Sequence, residues 1–526
     1  MSVEECRSFV RLFVRSFVRS FVRSFVRAEA GDCVFLWIRA RARAGEREAS
    51  MASRNVAART TEGASASTSA SRTSIVSLPM EVLQEILARV VRDAGGAVPT
   101  APRLTCVSRA FRDAVTGEPE MFWVDVDLSS GFCAPTDARI RSLINRGAWG
   151  SVRSLNLSGC SKLSDSTLQL LGTSCAKIEN LTISGGNFTK DGLMQFADNL
   201  AIAGAGLKSI HIDLSAPKMT PSDALGALQH FVEVNAPTLE RISCGREAPY
   251  APAERRAFTK GSNRLFDLIK LCTGLKVLDL TNCGEDARLP LFDLQRALPH
   301  LEELKLNHFG GEPGWRVVGR ISPDFEETCW RNLRVLEVAV SLETTSVGHR
   351  YGNSNVDGET LFCILFNSIE CLEVLDVTGC THLGDWRDTI WDRLPFNLRT
   401  LRCARTPLVD DGAVRHILSH LCPALEELEL ASVGANAQHI TDEAFTPFTP
   451  GSGPPLALTT LRIPGSAVSE ASVRLLCDDV AADARFPRLR SLDLASCRAL
   501  PRDIRRVALE TFPRPNVDHL RRALGM

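Results

Sequence analysis

An α/β solenoid, preceded by a small all-helical module and a low-complexity leader, is the architecture this 526-residue sequence predicts. Three observations carry it. A six-residue pattern, apolar-x-x-apolar-x-apolar, recurs twelve times between residues 152 and 494. Four of the eleven spacings between copies are 26 or 27 residues, one strand plus a returning segment, and longer ones such as 36 and 39 imply inserted loops. Ahead of this array, residues 74–128 show helical periodicity, and before them the chain is repetitive or polar.

The totals set limits. With 44% hydrophobic residues, 23% charged residues and a net charge of -1, the chain lacks the global basic excess of a nucleic-acid binder. No run of 18 uncharged apolar residues occurs, so no membrane-spanning helix is expected. The 17 cysteines are spread out, without CxxC pairs or Cys/His clusters at zinc-site spacing. They are expected as free, buried thiols in a reducing compartment, with no metal or cofactor.

Residues 1–50 contain the phrase "RSFVRSFVRSFV", with arginine at every fourth position from Arg7 to Arg27 and Phe9, Phe13, Phe17, Phe21 and Phe25 in step. On a helix the Phe row would spiral by about 40° per repeat. Three readings stay open: an unused leader upstream of Met51, a basic amphipathic targeting or membrane-surface helix, and a disordered tail. Residues 51–73 are small and polar, unable to bury enough surface to offset chain entropy, and read as a flexible linker.

Order is expected from residue 74. Ser77 is placed as an N-cap before Leu78, with Pro79 in the first turn, and Val82, Leu83, Ile86, Leu87 and Val90 recur on one helical face. Gly95, Gly96, Pro99 and Pro102 end that helix, and Leu104, Val107, Phe111 and Val115 pattern a second. Trp123 and the strand-like "VDVDL" lead into residues 129–512, the array, and residues 513–526 are left as a C-terminal tail. Each copy, from "VRSLNL" at 152 to "LRSLDL" at 489, cannot bury its apolar face alone, so stacking must supply the core. Cys160, Cys283, Cys380 and Cys497 each stand eight residues after a copy begins, and Cys175, Cys272 and Cys422 three residues before one. Fixed offsets of this kind predict structural thiols.

These residues carry two resemblances. The stretch "LNLSGCSKLSDSTLQLLGTSCAKIENL" resembles the cysteine-containing class of leucine-rich repeat, whose units stack into a horseshoe. Residues 74–128, with "LPMEVLQEIL", "VSRAFRDAV" and a terminal "FW", resemble an F-box, although Phe111 stands where that family usually has Trp and the Gly/Pro loop is several residues longer. Together they resemble the F-box and leucine-rich-repeat substrate receptors of SCF-type ubiquitin ligases. The resemblance implies a SKP-type adaptor and a cullin as partners, gripped through Leu78, Pro79, Val82, Ile86, Leu87, Val107 and Phe111. It also implies a protein target held on the array in the cytoplasm or nucleus and degraded through ubiquitin. The role would be non-catalytic, proximity replacing a slow bimolecular encounter. The alternative is a leucine-rich-repeat scaffold whose helical module only closes the array.

Strand alternation turns the third and fifth positions of each copy toward the inner face. His211, Arg241, Asp279, Glu303, Glu337, Asp376, Arg402, Glu427, Glu429 and Arg462 are therefore the candidate target contacts. Seven acids face four Lys or Arg there, so a basic or mixed-charge protein segment is expected rather than a phosphopeptide or nucleic acid. Inserted loops at 245–264 and 341–359, with Tyr250, Trp315 and Tyr351 as aromatic anchors, are the second candidate surface. No GxxxxGK[ST], HExxH, GxSxG or GxGxxG motif occurs, and no catalytic residue is expected.

Overall fold

The structure is a computed structural model of the full chain. It describes residues 79–93, 107–129, 135–145, 149–213, 219–244, 262–281, 291–307, 330–339, 358–368, 370–380, 394–406, 409–421, 423–431, 440–446, 455–478 and 486–526, with Ala101, Leu104, Leu383 and Ile390. The leader, the linker, Ser77, Leu78, Tyr250, Cys283, Trp315, Tyr351 and Cys422 lie outside the described residues. The chain divides into two compact units, Met1–Leu207 and Lys208–Met526.

In the first unit, helix α1 (Met80–Asp93) follows Pro79, whose carbonyl accepts the first helical bond from the Leu83 N–H at 3.0 Å. The start falls two residues after the one predicted from Ser77. Leu83, Ile86, Leu87, Val90 and Val91 form its buried face. Helix α2 (Arg109–Gly117) is capped by Ser108, which accepts from the Phe111 N–H at 3.2 Å. Val107 thus precedes the helix. Phe111, Ala114 and Val115 pack inward, and Gln84 on α1 donates to the Ala114 carbonyl at 3.3 Å, so the one buried polar side chain between the helices is satisfied.

Helix α3 (Pro119–Phe122) leads directly into strand β1 (Asp125–Asp127), which pairs in parallel with β2 (Ser154–Asn156), Val126 opposite Leu155. The boundary predicted at residue 128 is therefore corrected: 125–128 is a rung of the array. Trp123 takes the first apolar position of this copy, and a count restricted to Leu, Val, Ile and Cys passes over it. Its ring lies 6.0 Å from buried Trp149. Helix α4 (Asp137–Ile144), α5 (Asp165–Ser174), β3 (Asn180–Ile183) and α6 (Lys190–Ile202) complete the unit. Helices α5 and α6 approach closely at Gly172, where a Cβ would come within 2.8 Å of Asn199 Cβ.

The second unit carries β4 (Ser209–Ile212), β5 (Arg241–Ser243), β6 (Val277–Asp279), β7 (Glu303–Lys305), β8 (Val335–Glu337), β9 (Val374–Asp376), β10 (Thr400–Arg402), β11 (Glu427–Glu429), β12 (Thr460–Arg462) and β13 (Ser491–Asp493). Neighbours pair in parallel and in register, so Ile210, Ile242, Leu278, Leu304, Leu336, Leu375, Leu401, Leu428, Leu461 and Leu492 form one continuous ladder. Each is at most 1% exposed. Truncating one such leucine to alanine costs about 2–5 kcal/mol, which is why the pattern is so legible. The returning segments include α7 (Pro221–Asn235), α8 (Ser262–Ile269), α9 (Leu291–Ala297), α10 (Gly358–Ser368), α11 (Asp411–His416), a 3-10 turn at Asp442–Ala444 and α12 (Glu470–Cys477). This is the leucine-rich-repeat solenoid the sequence predicts.

The turns after six strands repeat one device. The residue three places past the strand end takes a positive φ at Gly159, Gly379 and Gly465, and also at Arg405 and Ser496, and Gly185 does so two places past the longer β3. Its N–H donates to the following repeat: Gly379 to the Ala404 carbonyl at 2.8 Å, Arg405 to Ala431 and Gly465 to Ala495 at 2.7 Å. The next residue is often a buried cysteine whose thiol points back to the preceding repeat. Cys160 reaches the Leu128 carbonyl at 3.6 Å, Cys380 the Val338 carbonyl at 3.4 Å and Cys497 the Ile463 carbonyl at 3.3 Å.

A second device links helix starts. Asp137, first residue of α4, accepts from the Ser164 N–H (2.9 Å) and hydroxyl (2.8 Å) and from the Thr167 hydroxyl. Asp165 of α5 accepts likewise from Thr189, which caps α6. A Cβ on Gly192 would fall on the Asp165 carboxylate, so this step requires glycine there. Asp411 binds the Thr441 N–H and hydroxyl, both at 2.7 Å, and Asp442 takes the Ser469 N–H and the Ser472 hydroxyl. Each carboxylate thus anchors the cap of the next returning segment at the positive end of its own.

Residues 513–526 are not a loose tail. Helix α13 (Arg502–Thr511) and α14 (Val517–Ala523) close the second unit, with Val517, Leu520 and Leu524 buried. Asn516 is fully buried and imitates a further strand: its amide oxygen accepts from the Leu492 N–H at 2.8 Å and its amide nitrogen donates to the Leu492 carbonyl at 2.9 Å. The open edge of β13 is thereby satisfied.

Candidate protein-interaction surfaces

The helical module presents fewer of the expected docking residues than its sequence suggests. Pro79 is exposed and Val82 and Val107 half-buried, but Ile86, Leu87 and Phe111 are packed inside, at 4%, 2% and 9% exposure. Those three hold α1 against α2 rather than facing solvent. Among the described residues of the module the exposed large apolar side chains are Met80 and Met121, each 40% exposed, which the periodicity did not single out. Met121 borders a cavity of about 330 Å³ between α1, α3 and the start of β1, with Ala88, Val91 and Arg92 opposite.

On the strand face the central residue of β7, β8, β10, β11 and β12 is buried between partly exposed neighbours, whereas β5, β6, β9 and β13 also bury Ser243, Val277, Asp376 and Ser491. The candidate contacts are largely engaged with one another. Arg402 lies 3.3 Å from Glu427 and 3.8 Å from Asp376, while Arg462 reaches Glu429 at 3.1 Å and Glu427 at 3.4 Å. Lys305 stands 3.8 Å from both Glu303 and Glu337. Arg462 also sits over the Phe512 ring at 5.3 Å. Opposite charges alternate from strand to strand, Asp376, Arg402, Glu429, Arg462 and Asp493 standing in one row, so the charges of this face are largely paired within it.

The strand-end aspartates have a further duty. Asp279 accepts from the Thr281 N–H and Asp376 from the Thr378 N–H, both at 3.0 Å, and Asp127 and Asp493 do the same for Ser129 and Ala495. These Asx turns start each descent from the strand. Burial pushes the Asp376 carboxyl above its usual range, opposed by the Thr378 bonds and by Arg402.

His211, Ser243 and Asp279 form a cross-strand relay. The His211 Nδ1 lies 2.9 Å from the Ser243 hydroxyl, which donates to Asp279 Oδ2 at 3.2 Å. Since the carboxylate only accepts, Ser243 must accept from His211 Nδ1–H. The hydroxyl is the middle member and its proton points to the acid, so the imidazole is not placed to take it as a general base would. Burial holds the His211 pKa below its ordinary value, against Asp213 and Asp279. Arg241, beside this relay on β5, is exposed.

The thiols match their expected structural role. Burial pushes Cys160, Cys175, Cys272 and Cys380 up to about 12, so they stay protonated donors at neutral pH. Among the described residues no group of three His, Cys, Asp or Glu is arranged to hold a metal ion, and no helix is long and apolar enough to cross a membrane.

Sequence reasoning missed two structural sites. The helix-start links could have been found from Ser or Thr followed by an acid between apolar residues, as in "LSDSTL", "ITDEAF" and "VSEASV". Asn516 gave no signal, since an isolated Asn between Pro515 and Val517 reads as a turn.

No protein-family model and no curated protein matches the chain. One similar solved structure is the crystal structure of a mouse RP105/MD-1 complex, at 13% identity and a TM-score of 0.27, covering 71% of this chain. The similar region spans 65% of that chain's length.

Proposed function

We propose that this chain is a leucine-rich-repeat interaction scaffold acting as the target-holding subunit of an SCF-type ubiquitin ligase. Its helical module would dock on a SKP-type adaptor, and its array would carry a protein to be modified in the cytoplasm or nucleus. The supporting observation is the junction between module and array. Helix α3 runs into β1 without a linker, Trp123 belongs to both, and β1 is already paired with β2. A receptor working by proximity needs such a junction, because effective concentration falls when the connection is loose. No side chain of this chain takes part in the chemistry on this reading.

The burial of Ile86, Leu87 and Phe111 supports a second reading, in which the module is only a cap over β1. Adaptor binding separates the two. The full chain is titrated with a SKP-type adaptor by calorimetry, beside Leu78→Ala/Pro79→Ala. The receptor reading expects binding by the parent and at least about a tenfold loss in the variant. No binding by either leaves the scaffold with a helical cap.

A further inference from the structure

The strand face pairs its charges internally, whereas the C-terminal end of the second unit carries a cluster of positive charge without ion pairs among the described residues. Residues 486–526 hold nine arginines and no lysine against four acids, in a chain whose net charge is -1. Arg488, Arg490, Arg498, Arg502 and Arg514 are exposed and have no ion pair among the described residues. Elsewhere the ridge beside the strands pairs its charges across repeats: Arg153 with Glu179 at 2.7 Å, Lys276 with Glu240 and Arg334 with Glu373 at 2.8 Å, and Arg399 with Glu426 at 3.0 Å. At the last rung that series stops, because Arg490 follows Thr459 and meets no acid.

Helix α13 organises this charge. Ile504 and Ala508 are buried, and the opposite side carries Arg502, Arg506 and Leu509 at spacings of four and three, with half-buried Arg505 at its edge. Leu509 is 67% exposed, an apolar residue inside a basic rim. Arg506 is shared with Glu510 at 3.3 Å, and Arg505 has a buried Nε without a partner.

We propose that the outer face of α13, with Arg498 and Arg514 beside it, docks an acidic protein segment bearing an apolar side chain that covers Leu509. The chemistry favours protein over nucleic acid. Asp503, Glu510 and Asp518 interrupt the positive field that a phosphate backbone would need. Of the cap's two phenylalanines, Phe486 is buried and Phe512 faces Arg462, so neither offers a base-stacking platform. Guanidinium groups around one apolar anchor suit carboxylates, which they bind in bidentate fashion. This surface is independent of the adaptor-docking reading and is tested without the adaptor.

Fluorescence anisotropy of the full chain with a labelled peptide alternating Glu and Leu tests it, beside the same peptide with Gln for Glu, one with Ser for Leu, and a single-stranded oligonucleotide of equal length. The acidic-apolar peptide should bind, weaken as salt rises, and lose at least about tenfold in affinity in Arg502→Glu/Arg506→Glu and in Arg498→Glu/Arg514→Glu. Leu509→Ser should lose affinity for that peptide while leaving the weaker binding of the Ser-containing peptide unchanged. Thermal melts of each variant confirm folding, and the two charge-reversed pairs lie on separate segments, so one misfolded variant does not end the test. Failure of the acidic peptide to bind, equal binding of the Gln peptide, indifference to both charge reversals, or tighter binding of the oligonucleotide each overturns the proposal.

Discussion

Two sets of aspartates, one at helix starts and one at strand ends, recur along the same array, and Asp137 and Asp442 of the first are driven in the opposite direction from Asp376 of the second. At Asp137 and Asp442 burial raises the pKa, but bonds from Thr167 and Ser164 in one case, and from Ser469 and Ser472 in the other, outweigh it and hold the carboxyl low. At Asp376 burial wins and the carboxyl is raised. Asp137 and Asp442 sit where several donors converge at the start of a returning segment; Asp376 sits over the apolar ladder with the bonds of one residue, Thr378, and a cation 3.8 Å away. Identical residues therefore do different work. Helix-start acids bind repeats together, whereas strand-face charges tolerate their site and offset one another.

The largest expected effect breaks the array at its end rather than within either set. Asn516→Ala leaves both polar groups of Leu492 unpaired in the interior and should destabilise the protein by about 2–4 kcal/mol, read from denaturant unfolding. A surface substitution nearby, such as Asp518→Asn, should be within about 0.5 kcal/mol of the parent.

Acid should separate Asp137 and Asp442 from Asp376 by sign. The lowered pKa of Asp137 and Asp442 contributes stability that is present above the ordinary carboxylate pKa and lost as pH falls through the folded value. Asp376, raised, contributes the reverse: its stabilising share exists below the ordinary value and disappears as pH rises. The Tm should fall as pH drops below about 4, and Asp137→Asn/Asp442→Asn should flatten that fall. Asp376→Asn keeps an oxygen for the Thr378 N–H and should leave stability at neutral pH unchanged or higher. A loss there would show that its ion pair with Arg402 outweighs burial.

The smallest effect concerns the strand-to-helix turn. Ser496 takes the positive φ that glycine supplies in four other repeats. Ser496→Gly should stabilise by about 0.5 kcal/mol, the left-handed strain removed less the added chain entropy.

How much of this was legible follows from which forces leave a pattern. The ladder from Ile210 to Leu492 was readable because one buried apolar position per strand repeats at a fixed place in each copy. The cysteines were readable for the same reason. Charge was not: sequence counts Glu427, Glu429, Arg402 and Arg462 separately, whereas register sets them against one another. The helical module misled in a third way, since an amphipathic pattern names the face that will be buried without saying whether a partner or the chain itself covers it. Ile86, Leu87 and Phe111 went to the chain's own core.

The central claim is that helix-start links stabilise the array while the partly exposed strand-face ion pairs contribute little to it. Paired double-mutant cycles test it most directly: Asp411→Ala with Thr441→Ala against Arg462→Ala with Glu429→Ala, each followed by urea unfolding of the full chain. The account predicts a coupling of about 1.5–3 kcal/mol for the first pair and below about 1 kcal/mol for the second. Equal couplings, or a larger one for Arg462 and Glu429, would contradict it.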